Sequence, residues 1–118
     1  MGRSIVVACF GVLLFAGVAR AESGIASVYK YSVTKTASGQ RSNPAGLTAA
    51  HRTLPFGTMV KVTNRRNGKT VTVRINDRGP FIRGRVIDLT PAGARQLGFS
   101  GLAPVTLSVL GRGQVASR

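Results

Sequence analysis

Apolar and polar residues alternate in two neighbouring stretches near the middle of the chain. Val60 and Val62 fall on one side of the first stretch, and the apolar members of 71–75 fall on one side of the second. A period of two residues predicts half-buried β-strands. The Asn67-Gly68 dipeptide between them favours a tight hairpin turn, because both central positions of such a turn need positive φ. We therefore predict a β-hairpin.

Four more strands or strand-like segments follow from the pattern. Residues 24–33 mix β-branched and aromatic residues, 85–89 are mainly apolar, and 103–110 alternate, so each predicts a strand. Residues 47–57 fit either a short strand or a turn of helix. Residues 34–46 are rich in Ser, Gly, Thr and Asn, which predicts a loop, and loops of this length in compact domains are often functional.

A short helix is predicted directly after the fifth strand. Thr90 can cap it, Pro91 suits its first position and Gly98 suits the residue after its end. Ala94 and Leu97 fall on one face. About six short strands and at least one helix suggest a small β-barrel, which hides its strand edges by closure.

The N-terminus has the pattern of a secretory signal. Arg3 is followed by the apolar run 5–19, and Ala19-Arg20-Ala21 has the small-x-small form of a cleavage site. The rival interpretation is an uncleaved anchor, but the run is shorter than the roughly 20 residues that a span needs. A lipoprotein site at Cys9 is a further alternative. We expect an exported protein of the periplasm or cell envelope, without stable membrane insertion after cleavage.

This interpretation divides the chain into a signal peptide at 1–21, a barrel domain at 22–110 and a flexible tail at 111–118. The mature chain would contain no cysteine, so its stability must come from one apolar core. Removing residues 1–21 takes two arginines from the 17 Lys+Arg, leaving 15 against 3 Asp+Glu, a net charge of +12. Such a charge attracts polyanions. Export favours an envelope polymer or anionic lipid over nucleic acid; general solubility is the simpler explanation.

Few residues could carry acid–base chemistry. Glu22 would be the mobile first residue of the mature chain and is set aside, which leaves Asp77, Asp88 and His51. The sequence has no His/Cys/carboxylate cluster for a metal, no nucleophile elbow and no Walker loop. We therefore predict no metal and no cofactor.

Each of these three residues also has a structural interpretation. In "RINDRGPF", Asp77 lies at a strand end, where either turn chemistry or a binding rim is possible. Either Arg74 and Arg78 favour its charged form and make it a poor acid, or they point away toward substrate carboxylates. Asp88 fits a structural carboxylate paired with Arg85, Arg83 or helix amides. His51 is either a structural residue or a base.

Tyr29, Tyr31 and Phe81 could stack on sugars or pack in the core, and we predict packing for Phe81.

Several motifs in one order extend the analysis: "TASGQ", "GLTAAHRTLPFGT", "VTNRRNG", "INDRGPF" and "RVIDLT". From about Gly24 to Leu110 the chain resembles the rare lipoprotein A (RlpA) family. The resemblance implies a mainly β fold, a six-stranded double-psi β-barrel like that of expansins and barwin-like proteins, with one or two short helices. It also implies action on peptidoglycan.

Matched motif by motif, the resemblance makes Asp77 and His51 catalytic and places Asp88 at an acidic position of related barrels. The family glutamate of "TASGE" falls on Gln40, and the "ASWYG" tryptophan falls on Val28. We predict that Gln40, Tyr29, Arg78 and Asp88 bind substrate.

The implied reaction is that of an endolytic peptidoglycan transglycosylase. It cleaves the MurNAc-GlcNAc bond of peptide-free glycan strands, and the muramic acid 6-hydroxyl closes a 1,6-anhydro ring. One carboxylate suffices, whereas a hydrolase normally needs two. The alternative, motivated by Gln40, is a non-catalytic, expansin-like module that binds or loosens glycan. We expect a monomer whose partner is the glycan strand, with no nucleic acid.

Overall fold

Six strands close into one barrel in the computed structural model, which describes residues 21–29 and 35–112. A single helix, α1, precedes the last strand in this part of the chain. The elements, in chain order, are β1 Ala21–Val28, β2 Thr48–Ala50, β3 Thr58–Asn64, β4 Thr70–Asp77, β5 Arg85–Leu89, α1 Pro91–Leu97 and β6 Ala103–Arg112.

The order of strands around the barrel is β1-β5-β2-β4-β3-β6. Strand β1 runs parallel to β5, and β2 runs parallel to β4, whereas the other four neighbouring pairs are antiparallel. Closure leaves no unpaired edge among the described strands for another chain to join. The predicted closed β-barrel is therefore confirmed, and the mixed pairing is what the alternation alone could not supply.

The hairpin predicted in the middle of the chain is confirmed as β3 and β4, with Val60 opposite Val73. Its connection is longer than a two-residue turn. The Gly68 amide donates to the Asn64 carbonyl at 2.7 Å, and Gly68 has φ 79°. Glycine adopts this left-handed conformation without the steric cost that a side chain brings.

The core is aliphatic and is drawn from all six strands. It centres on the fully buried Ile75, Ile87, Leu89 and Leu107. Burying each such side chain contributes about 1.5–3 kcal/mol. Leu97 of α1 joins the same cluster, so the helix packs on the barrel rather than standing apart from it.

The helix ends are built as the sequence predicts. The Thr90 hydroxyl accepts from the Gly93 amide at 3.1 Å, Pro91 occupies the first turn, and Gly98 has φ 80° after the last turn. Ala94 and Leu97 are both buried. This cap fixes the position at which β5 ends.

Other boundaries differ from the predictions. The first strand is β1, which includes Ala21 to Gly24 and ends at Val28. The undecided segment 47–57 contains the short strand β2, and β6 continues to Arg112. The predicted cleavage signal up to residue 20 and the tail beyond 112 lie outside the described residues. No helix in the described part has both the length and the hydropathy to cross a membrane.

Candidate active site

The two internal carboxylates lie on either side of one short strand. Ala50 of β2 pairs with Asp77 of β4 on one side and with Asp88 of β5 on the other, and Asp88 in turn pairs with Ser27 of β1. Two strand spacings of about 4.8 Å separate the Asp77 and Asp88 backbones, roughly 10 Å in total. Long-range strand pairing thus brings both acids into one row.

Asp77 is held by donors from three parts of the chain. The Tyr29 hydroxyl donates to its Oδ2 at 2.7 Å, and the amides of Ala37 and Arg78 donate to its Oδ1 at 2.7 and 2.9 Å. The carboxylate is half-buried. A turn alone would need only local amides, whereas Tyr29 and Ala37 are 48 and 40 residues away. The carboxylate is therefore the point where β1 and the loop at 35–47 meet β4.

The loop itself is ordered around a tight turn. The Thr36 amide donates to the Gln40 carbonyl at 2.9 Å, and the Ser38 amide donates to the Asn76 carbonyl at 3.2 Å. The loop therefore contacts both the last residue of β4 and the residue before it. That this long loop contributes to a functional site stays a prediction.

The arginines beside Asp77 turn away from its carboxylate. Arg78 donates to the carbonyls of His51 and Leu54 at 3.1 and 2.8 Å, and its guanidinium lies 4.1 Å from the centre of the Phe56 ring. Arg74 donates to Gln40 Oε1 at 2.9 Å. Within the described residues, neither forms an ion pair with Asp77. Of the two alternatives for these arginines, the structure agrees with the one in which they point away from Asp77, since other acceptors hold both side chains.

His51 is buried, and both of its ring nitrogens are occupied. The amides of Thr53 and Leu54 donate to Nδ1 at 3.1 Å each, and Nε2 lies 2.9 Å from Glu22 Oε1. Because Nδ1 accepts, the proton of the neutral ring belongs on Nε2 and is donated to Glu22. His51 touches Asp77 only through its own amide, which donates to the Asp77 carbonyl at 3.2 Å.

Glu22 is the residue that sequence reasoning set aside, and this interpretation was wrong. It lies within β1 opposite Leu107 of β6, and its carboxylate reaches His51. The two side chains line a cleft of about 280 Å³. The available signal was that the chain has a single histidine and three acids, but the contact depends on barrel closure.

Gln40 occupies the centre of a second polar cluster. Its Oε1 accepts from Arg74 at 2.9 Å and from Asn76 Nδ2 at 3.2 Å. These residues line a cleft of about 490 Å³ together with Arg41 and Asn43. Arg74 and Asn76 were not among the predicted site residues, although both lie in the motif that contains Asp77.

Asp88 differs from Asp77 in its surroundings. The Ser27 hydroxyl donates to Oδ1 at 3.1 Å. Burial raises the pKa of Asp88 above its usual 3.8, the Ser27 bond and the Arg85 charge oppose this rise, and the Asp77 charge adds to it. Arg85, a predicted partner of Asp88, thus acts on the pKa of Asp88 through its charge. The helix amide at Gly93 is instead satisfied by Thr90.

The side chain of Phe81 is 76% exposed, so the prediction that it packs in the core was wrong. Phe81 follows the end of β4, where the alternation that buries Ile75 no longer applies. It therefore remains available for stacking, while Tyr31 lies outside the described residues. Among the described residues, no group of three His, Cys, Asp or Glu side chains could hold a metal ion.

The mixed six-stranded closure defines a double-psi β-barrel protein. An expansin from Clavibacter michiganensis superimposes with a TM-score of 0.61 at 23% identity, covering 77% of this chain and 50% of its own. The Streptomyces papain inhibitor gives a TM-score of 0.62 at 22% identity, covering 76% and 94%. These likenesses establish the fold.

The sequence establishes the family. The family model described as "Lytic transglycolase" matches residues 21–107, and the chain belongs to the RlpA family. A relative from Nostoc sp., named probable endolytic peptidoglycan transglycosylase RlpA, is 61% identical over 95 residues, which cover 75% of this chain and 26% of the relative. The endolytic peptidoglycan transglycosylase RlpA of Campylobacter jejuni is 49% identical over 100 residues, covering 81% and 36%. The chain thus spans about a quarter to a third of these relatives.

Proposed function

We propose that this barrel is an endolytic peptidoglycan transglycosylase with Asp77 as its acid and base. It would cleave the MurNAc-GlcNAc bond of peptide-free strands and leave 1,6-anhydroMurNAc ends. The observation that carries the proposal is the fixed Asp77 carboxylate at the end of β4, held by Tyr29 and the loop amide of Ala37. The names of the RlpA relatives support the same reaction class.

A single carboxyl group can complete this reaction. Protonated Asp77 gives its proton to the glycosidic oxygen as the bond to muramic acid C1 breaks. The resulting carboxylate takes the proton of the 6-hydroxyl as that oxygen bonds to C1, which restores the acid. No water is consumed, so no second carboxylate is needed to activate it.

Tyr29 can form a hydrogen bond with Asp77 in both protonation states of the carboxyl group. A phenol is a donor and an acceptor. Its hydroxyl donates to Oδ2 at 2.7 Å while Asp77 is ionised, and its oxygen can accept when Oδ2 carries the proton. The Oδ1 atom stays anchored by two backbone amides. Proton exchange is therefore assigned to Oδ2.

The remaining predicted residues take supporting roles. His51 and Arg78 position the strand end, because Arg78 bonds to the His51 and Leu54 carbonyls while its amide binds Asp77. Gln40 offers hydrogen bonds to substrate but exchanges no proton. Substrate contacts by Tyr29, Asp88 and Arg78, and a catalytic role for His51, stay predictions.

Digestion of purified, peptide-free glycan tests the proposal. Mass spectrometry should find 1,6-anhydroMurNAc ends with the wild type and none with Asp77→Asn. Asp88→Asn is the matched control, because it makes the same change on the other side of Ala50. Absence of anhydro ends with the wild type, or full activity of Asp77→Asn, would refute the enzyme.

We also propose that the chain is exported and acts in the cell envelope. The support is the signal pattern in the sequence and the peptidoglycan substrate named for its relatives. Sequencing the mature N-terminus should find Glu22 first. An intact Met1 in the cytoplasm would instead favour a nucleic-acid partner for this basic chain.

A non-catalytic glycan-binding module is the second candidate, favoured by the neutral Gln40 in the cluster beside Asp77. The structure of a point mutant of the C. michiganensis expansin has been solved in complex with cellohexaose. That expansin therefore binds a glycan. This candidate predicts pelleting with peptidoglycan that weakens with salt and survives Asp77→Asn. A large gain of lytic activity in Gln40→Glu would support it.

A further inference from the structure

The cleft between the loop at 35–47 and β4 contains an arginine without a carboxylate partner. Arg74 is half-buried, and its guanidinium donates to the neutral Gln40 Oε1 at 2.9 Å. In the part of the chain that the structure describes, no Asp or Glu forms an ion pair with it. A partly desolvated guanidinium in a concave site is well suited to binding an anionic ligand.

The same cleft contains a buried acceptor that is not used. Asn76 is 3% exposed, and its Nδ2 donates to Gln40 at 3.2 Å, but its Oδ1 has no hydrogen-bond partner. Buried polar atoms are nearly always bonded, and Asn76 lines the cleft, so a small shift of its amide would let this acceptor take a hydrogen bond from a bound ligand. A hydroxyl or an amide N–H of a ligand would supply it.

Gln40 determines the charge of this cluster. A glutamate at this position would place a carboxylate against Arg74 and neutralise it, whereas the amide keeps two hydrogen bonds and leaves the positive charge. The nearby Arg41, which lines the same cleft, adds a second positive charge. The cleft therefore combines cationic donors with an unused acceptor.

We propose that this cleft is a subsite for an acidic amino sugar. Arg74 binds the carboxylate of the sugar, and the Asn76 amide, after a small shift toward the cleft, accepts from its hydroxyl or acetamido N–H. The subsite lies beside the proposed reaction centre, since the loop that lines the cleft through Gln40 also donates its Ala37 amide to Asp77.

The inference rests on the proposed function for its natural ligand. In a glycan strand the acidic amino sugar is muramic acid, whose lactyl group ends in a carboxylate. A stem peptide is attached through that group as an amide, which removes the charge. Arg74 would thus distinguish peptide-free strands from peptide-bearing ones.

Binding of small sugars tests the subsite without any reaction. The full mature chain is titrated with N-acetylmuramic acid and with N-acetylglucosamine, which lacks the lactyl carboxylate, and amide shifts are followed by NMR at low salt. We expect the acidic sugar to bind about tenfold more tightly, the scale of one charged hydrogen bond. Equal affinity for the two sugars would overturn the subsite.

Matched variants separate a local contact from net charge. Arg74→Gln should abolish the preference, whereas Arg95→Gln, an equal loss of charge at an exposed side chain of α1, should retain it. Gln40→Glu changes an exposed side chain and should also weaken binding of the acidic sugar, because it gives Arg74 an internal partner. Equal behaviour of Arg74→Gln and Arg95→Gln would overturn the assignment, as would inorganic phosphate competing as well as the acidic sugar.

The outcomes distinguish this inference from the enzyme proposal. If the wild type prefers the acidic sugar but forms no anhydro ends, the subsite proposal stands and the enzyme proposal is refuted. If the wild type is active but cleaves peptide-bearing and peptide-free strands equally well, the enzyme proposal stands and the subsite proposal is refuted.

Discussion

Asp77 and Asp88 face the same residue, Ala50, from opposite sides of β2, yet their surroundings differ. Asp77 accepts hydrogen bonds from a phenol and two amides, one of which belongs to a distant loop. Asp88 accepts from the Ser27 hydroxyl, and burial raises its pKa. Pairing with Ala50 thus places both carboxylates, and the surroundings distinguish them: Asp77 accepts from the Ala37 amide of the loop at 35–47, whereas Asp88 accepts from Ser27 of β1.

Substitution of each aspartate should separate the two residues most clearly in enzymatic activity. Asp77→Asn should lower the rate of anhydro-end formation by about 10²–10⁴-fold, the range for removing a positioned acid–base group. Asp88→Asn should change it by less than about tenfold, because Asp88 is a predicted substrate contact that exchanges no proton in the reaction. Rates are measured on the same peptide-free glycan. Equal losses in both variants would show that the row, not Asp77, forms the site.

The two hydroxyl donors offer a smaller contrast. Tyr29→Phe removes the donor to Asp77 Oδ2 and should lower the rate about tenfold, as expected for one hydrogen bond to a charged group. Ser27→Ala removes the equivalent donor to Asp88 and should leave the rate nearly unchanged. Thermal unfolding of both variants serves as the control for folding. A rate unaffected by Tyr29→Phe would argue against exchange at Oδ2.

The pKa of Asp88 predicts a pH effect on stability. Because the pKa is raised in the folded state, Asp88 binds its proton more tightly there than in the unfolded chain. Its contribution to stability is fully present below the usual pKa of 3.8 and is lost as pH rises through the folded value. Since the group is only half-buried, solvent screening keeps this loss small. Denaturant midpoints should fall less across this window in Asp88→Asn than in the wild type.

Local structure could be predicted where one segment determines it. The alternation at Val60–Val62, the Thr90 cap and the Gly98 terminator all hold, because propensity and pattern act over a few residues. The site depends on pairs far apart in sequence. Tyr29 meets Asp77 and Glu22 meets His51 only after β1 joins the barrel, so neither contact is visible in the local pattern.

The ordered motifs predicted the barrel topology and the candidate catalytic residue, which the hydrophobic periodicity could not predict. They predicted the double-psi barrel and singled out Asp77, although local turn chemistry alone favoured a structural role. They left open whether Arg74 and Arg78 point toward the carboxylate or away from it, because a side chain's direction depends on which acceptors the fold brings near it. Phe81 was misassigned for a related reason, since its strand ends four residues earlier, at Asp77.

The smallest contrast concerns two phenylalanines near Asp77. Phe56 carries the Arg78 guanidinium at 4.1 Å from its ring centre, and Arg78 in turn anchors the strand end. Phe56→Leu should lower the free energy of unfolding by about 0.5–1 kcal/mol, the range for an exposed cation–π contact. Phe81→Leu should change stability less, because that side chain is mostly exposed, but should weaken glycan binding if the ring stacks on sugar. Denaturant unfolding and pelleting with peptidoglycan measure the two effects. Equal stability losses in the two variants would mean that the Arg78 contact does not support the strand end.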